Sequence, residues 1–200
     1  MINNTIRFIK TAALMAGLGF ITTNAFCNGT VTGTIDTNMP KYKGNAVVYL
    51  LGVKGPAVCE HKTIEQQGLT FSPKVTTVPA GCTIVFKNND KVNASVTSFS
   101  PTKKFNIDKL DSGTSRKLTF DKSGVVQLLS KPHQEMTGWV IVTKNQYAAV
   151  TEHDGKFTIP NVPAGTYEIS AWSEKLKPQG KTTVTVAEGK TAPVVLKMAI

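Results

Sequence analysis

Apolar residues in this chain recur at every second position, and that period governs what the chain can fold into. In TIVFKN, Ile84 and Phe86 alternate with Thr83, Val85 and Lys87. Successive side chains of a strand point to opposite faces, so this spacing gives an extended segment one inward and one outward face. GTVTGTID, SRKLTF, GVVQLL, GWVIVT, GKFTI, TYEISAW, TTVTV and APVVLKM carry strand signals of the same kind. AVVYLL, residues 46–51, is a short apolar run suited to a buried strand. Pro79-Ala80-Gly81, Asp154-Gly155, Pro163-Ala164-Gly165 and Glu188-Gly189 punctuate the runs with turn residues. Helical periodicity is absent beyond the first residues. Many short strands between Gly and Pro turns predict an all-β sandwich or barrel.

The first residues follow another pattern. Arg7 and Lys10 give a positive start, Thr11 to Ile21 an apolar stretch, and Thr23 and Ala25 a small-residue exit. That layout predicts a secretory signal peptide over residues 1–25 and a periplasmic or secreted mature chain. The stretch is shorter than the ~20 apolar residues of a membrane span, and no later segment approaches that length, so no transmembrane segment is expected after removal. Phe26 is too bulky for a lipid attachment signal at Cys27. The formal charge is +10, and it falls by two without Arg7 and Lys10. An excess of positive charge favours anionic partners, an envelope protein or an anionic surface component. The lysines are scattered, among them Lys74, Lys87, Lys91, Lys103, Lys104 and Lys131, with no aromatic-interleaved run, so nucleic acid is not expected. In an oxidising compartment two of Cys27, Cys59 and Cys82 can pair. The expected pair is Cys59 with Cys82, because Cys27 falls at the new terminus.

AVTEHDGKFTIPNVPAGTYEISAW and VTVAEGKTAPVVLKM, within Gln146 to Met198, resemble the carboxypeptidase regulatory-like (transthyretin-like) domain. The resemblance implies a hairpin turning at Asp154-Gly155, with Phe157 and Ile159 inward and Tyr167 packed behind. The family's opening strands are missing just before the tail and present at Gly29 to Leu51. Residues 28–54 with 144–200 are therefore expected to form one split β-sandwich, with the middle inserted between its halves. The alternative, in which the first strands belong to the middle domain, stays open.

Residues 60–143 resemble a cupredoxin of the plastocyanin/azurin kind. IEQQGLTFSPKVTTVPAGCTIVFKNND is similar to the first half of that Greek-key β-sandwich, and FDKSGVVQLLSKPHQEMTGWVIV to the second. The two-unit order is similar to that of exported cupredoxin-like proteins, some of them associated with methylamine utilisation. A type 1 copper site takes two imidazoles, one thiolate and a weak axial thioether. Carried over residue by residue, the resemblance puts Ala94 where the first histidine belongs and Ser130 where the cysteine belongs. His133 and Met136 match the second histidine and the methionine. A hard, neutral hydroxyl does not replace a thiolate, so the resemblance implies a degenerate site and no cofactor. Weak copper binding by His133 and Met136 is the alternative. Trp172 is followed by Ser173, where metal-rich relatives carry a histidine.

Catalysis finds no support, since G-x-S-x-G, H-E-x-x-H and phosphate-loop patterns are all absent. His61, near Cys59, reads as a surface histidine beside a disulfide, and His153 as solvent-facing beside the Asp154-Gly155 turn. The expectation is an exported, non-enzymatic binding or accessory protein whose face is formed by the loops around Ala94 and Ser130–Met136. The alternatives are copper handling or an electron-transfer-related role in the periplasm, and a carbohydrate- or envelope-binding module in the tail, the latter by analogy of fold alone.

Overall fold

The structure, a computed structural model, describes residues 28–200. The expected signal peptide, its exit at Ala25 and Cys27 lie outside the described residues. The chain runs through β1 (Gly29–Asp36), a short 3-10 turn (Pro40–Tyr42), β2 (Val47–Leu51), β3 (Lys62–Gln66), β4 (Phe71–Ser72) and β5 (Val75–Pro79). It continues through β6 (Cys82–Asn88), β7 (Ala94–Ser98), β8 (Phe105–Leu110), β9 (Ser115–Phe120), β10 (Gly124–Leu129) and β11 (Thr137–Thr143). The tail holds β12 (Ala148–Val150), β13 (Lys156–Val162), β14 (Gly165–Trp172), β15 (Lys177–Pro178), β16 (Thr182–Val186) and β17 (Thr191–Ala199). The protein is all-β. No helix among the described residues is long and apolar enough to cross a membrane.

Four sheets make two sandwiches. One pairs the sheet β4-β3-β6-β9 with the sheet β5-β11-β10-β7-β8. Between them lie Ile64, Ile84, Phe86, Phe120, Val126, Leu128 and Val140, all essentially inaccessible. The alternation of TIVFKN explains its part: Ile84 and Phe86 are buried while Thr83, Val85 and Lys87 are half-exposed on the far face. Each fully buried side chain of this size stabilises by roughly 1.5–3 kcal/mol, and Phe86→Ala would cost about 3–5 kcal/mol.

The other sandwich pairs β13-β1-β17-β15 with β12-β2-β14-β16. Strand β1 runs antiparallel to β13 (Val31 opposite Ile159) and parallel to β17 (Val31 opposite Ala192). Strand β2 lies between β12 and β14, with Val47 opposite both Val150 and Trp172. The first two strands thus hydrogen-bond with the tail and fill its core, which holds Val31, Ile35, Leu50, Phe157, Ile159 and Leu196. Gly33 is fixed by packing: a Cβ there would meet the Phe157 ring and the Val194 carbonyl. Tyr167 closes the Pro163-Ala164-Gly165 turn by donating its hydroxyl to the Pro163 carbonyl at 3.2 Å.

The sandwiches also meet face to face. On β2, Val48 and Leu50 enter their own core, so Val47 and Tyr49 point the other way. On β11, Val140 and Val142 point inward, so Trp139 and Ile141 point outward. These outward residues form a third apolar cluster with Val75, Val125, Ala148, Val150 and Trp172. Burial on both faces is why AVVYLL and GWVIVT read as nearly continuous apolar runs.

Candidate functional site

The loop end of the cupredoxin-like sandwich is assembled from a buried amide. Asn88, fully buried at the end of β6, donates from Nδ2 to the carbonyls of Val92 and Leu110, each at 2.8 Å. Its Oδ1 accepts from the Asp90 N–H at 2.9 Å. The Asp90 carboxylate in turn accepts from the N–H groups of Gly68 (2.6 Å) and Leu69 (3.2 Å). Gln66, also buried, donates from Nε2 to the Ser95 carbonyl at 3.1 Å. These bonds set the turn that delivers Ala94 to the start of β7.

Ser95 then ties this turn to the β10–β11 loop, because its Oγ accepts from the Lys131 N–H at 2.9 Å. Ala94 and Ser130 are thus the residues just before the two ends of one hydrogen bond. Ala94 is 7% exposed and Ser130 4%. The Ser130 hydroxyl has no hydrogen-bond partner among the described residues. Within the loop the Met136 N–H donates to the His133 carbonyl at 3.0 Å. Met136 is 3% exposed and packs in the same apolar cluster as Ala94 and Phe71. The imidazole of His133 is half-buried, with Nδ1 3.7 Å from a Glu135 carboxylate oxygen, too long for a hydrogen bond. Lys131 donates to Asp108 at 2.6 Å, and that hydrogen bond, with the lysine's charge, holds the Asp108 carboxyl below its usual range.

The donor set does not fit a type 1 copper ion. Such a centre needs a thiolate and two imidazoles, and this end offers a methyl group, a neutral hydroxyl, one imidazole and a thioether sunk in the core. Among the described residues no three His, Cys, Asp or Glu side chains gather into a group able to hold a metal. Cys59 and Cys82 are joined in a disulfide, with Cα atoms 5.4 Å apart. His61 is exposed in an open hollow beside that bridge, and His153 is exposed next to the Asp154-Gly155 turn. Neither joins His133. Sequence reasoning passed over Ser95, Gln66 and the buried role of Asn88. Asn88 itself, at the end of the TIVFKN strand, was the available signal, since an Asn side chain commonly accepts from the backbone N–H two residues on.

Residues 57–143 match the family model of copper binding proteins, plastocyanin/azurin family. Residues 121–194 match the model of polysaccharide lyase family 4, domain II. No curated protein matches. Among solved structures, the chain is similar to a copper-containing nitrite reductase from Thermus scotoductus SA-01, at 25% identity and a TM-score of 0.40, over 46% of this chain and 24% of the reductase. It thus spans about a quarter of that enzyme's length. It is also similar to a purple cupredoxin from Nitrosopumilus maritimus, at 23% identity and a TM-score of 0.37, over 41% of this chain and 99% of the cupredoxin. A mutant of amicyanin matches at 17% identity and a TM-score of 0.39, over 42% of this chain and 82% of amicyanin. Residues 57–143 thus form a cupredoxin-like domain, matched by the plastocyanin/azurin family model.

Proposed function

We infer that this chain is an exported, non-redox binding protein that docks an envelope partner through the loop end of its cupredoxin-like domain. The observation that carries this reading is a contrast at that end. Ala94, Ser130 and Met136 are buried, while Leu69 and Val92 beside them are 38% and 53% exposed. Leu69 is held by Asp90, and Val92 by Asn88, so both apolar side chains are presented on a pinned turn. Contiguous exposed apolar patches commonly mark interaction sites, and Leu69 with Val92 would form the apolar part of one here. Lys91, next to Val92 in sequence, supplies positive charge suited to an anionic partner. The disulfide fits an oxidising compartment. The division adopted is 28–54 with 144–200 and 60–143, following the pairing of β1 with β17 and of β2 with β14.

A photo-crosslinking side chain at Val92, introduced in the native host, tests the reading. One dominant adduct with an envelope protein is expected, and none from the same group at Val195, 57% exposed on the tail. Equal labelling from both positions would end the proposal. A second reading, carbohydrate binding by the tail, is favoured by the polysaccharide lyase domain match over residues 121–194. Retardation of the protein in gels containing envelope polysaccharide would support it.

A further inference from the structure

The two sandwiches do not close completely where they meet. Tyr49 and Leu51 of β2 and Trp172 of β14 face Val125 of β10 and Ile141 of β11 across a cavity of about 250 Å³. Pockets for drug-sized ligands run to roughly 300–1,000 Å³, so this one suits a single ring. Its walls combine two aromatic side chains with aliphatic ones. Its rim is polar and lopsided in charge, with Ser123, Thr143 and Lys144 and no acidic residue. The Thr143 hydroxyl is committed to the Asn145 carbonyl at 2.7 Å. Lys144 differs from Lys103, Lys131 and Lys156, each of which pairs with an aspartate: it has no ion-pair partner among the described residues.

We propose that this interdomain cleft binds a small aromatic carboxylate, its ring between Tyr49 and Trp172 and its carboxylate on Lys144. Aromatic walls favour a flat ring through tilted or offset stacking. A ring alone would leave the ammonium unmatched, and a carboxylate alone would gain nothing from the apolar walls. Both halves of the cleft are needed, since Val125 and Ile141 come from one sandwich and Tyr49 and Trp172 from the other. The site stands apart from the loop end, so its failure leaves the docking proposal intact.

The test is a titration of the full chain with sodium benzoate at constant ionic strength, followed by tryptophan fluorescence. Trp139 and Trp172 are the two tryptophans of the sequence, and Trp172 lines the cleft. A saturable change is expected. Lys144→Ala should weaken it about fivefold, the scale of an exposed ion pair, and Lys144→Arg should retain it. Benzyl alcohol, which has the ring without the charge, should bind no better to the native protein than benzoate does to Lys144→Ala. Lys144 is exposed, so its variants are expected to fold, and far-ultraviolet circular dichroism checks this. A linear, unsaturating response to benzoate, or an unchanged affinity in Lys144→Ala, would overturn the proposal.

Discussion

The indole rings of Trp139 and Trp172 stand 5.2 Å apart, centroid to centroid, with their planes tilted by 51°. One lies on β11 and the other on β14, so the contact joins the two sandwiches. An aromatic pair of this kind contributes roughly 0.5–1.5 kcal/mol beyond its buried area. Trp172→Ala should lower the unfolding free energy by about 2–3 kcal/mol, below the ~3–5 kcal/mol of a fully buried tryptophan, because Trp172 is half-buried. Denaturant unfolding measures the loss. A smaller denaturant slope, or a second transition, would show that the sandwiches have ceased to unfold together.

The disulfide predicts a second, separate loss. It closes a segment of 23 residues in sequence separation and fastens the connection between β2 and β3 to β6. Loop-closure entropy for a segment of that size corresponds to about 3 kcal/mol. Cys59→Ala is the cleaner variant, because Cys59 is exposed whereas Cys82 is fully buried. Unfolding of Cys59→Ala should match that of the reduced native protein. A loss below about 1 kcal/mol would mean that the unfolded chain is already compact here.

The strand alternation made the fold class legible, and Ile84 with Phe86 shows why: inward and outward residues differ in kind. Strand β7 was illegible for the opposite reason. All five of its residues, Ala94-Ser95-Val96-Thr97-Ser98, are buried, three of them hydroxyl-bearing. Its polar groups find partners that the sequence does not announce, as when Ser95 Oγ accepts from the Lys131 N–H, 36 residues away. The contact between sandwiches was also hidden. Tyr49 and Trp172 look like core residues in the sequence, and alternation does not say that their face meets a second sheet. At the loop end, the identities of Ala94 and Ser130 could be read from the chain, but the bond from Lys131 to Ser95 that ties them together could not.

Glu174 and Lys74 give a third expectation, dependent on pH. Their charged groups are 3.3 Å apart across the junction of the sandwiches. Burial pushes the Glu174 carboxyl up, but Lys74 and Lys175 together outweigh burial and hold it below the usual carboxylate range. A depressed folded-state value means stability that is present above the ordinary glutamate value, near 4.3, and is lost as pH falls through the folded one. The native protein should therefore lose more stability than Glu174→Gln on going from neutral pH to about pH 3. The difference is small because the pair is partly exposed and screened by solvent. Parallel pH profiles for the two proteins would show that the pair contributes nothing to folding.

The last expectation concerns the loop end itself. Titrated with Cu(II), the native protein should develop no intense blue charge-transfer band, since Ser130 offers no thiolate. Any affinity for Cu(I) should be weak and should fall in His133→Ala and in Met136→Leu. The double variant Ala94→His with Ser130→Cys supplies the two missing donors. The bond from the Lys131 N–H to Ser95 Oγ holds these positions on adjoining segments, and Met136 packs in the same apolar cluster as Ala94. The larger histidine overpacks a site where Ala94 is 7% exposed, at a cost of about 1–3 kcal/mol. Bound copper should offset that cost by binding the folded state alone. A blue, copper-stabilised double variant is the expected result. A folded but colourless one would show that the β10–β11 loop no longer turns His133 and Met136 toward the vacated positions. A blue native protein would overturn the non-redox reading altogether.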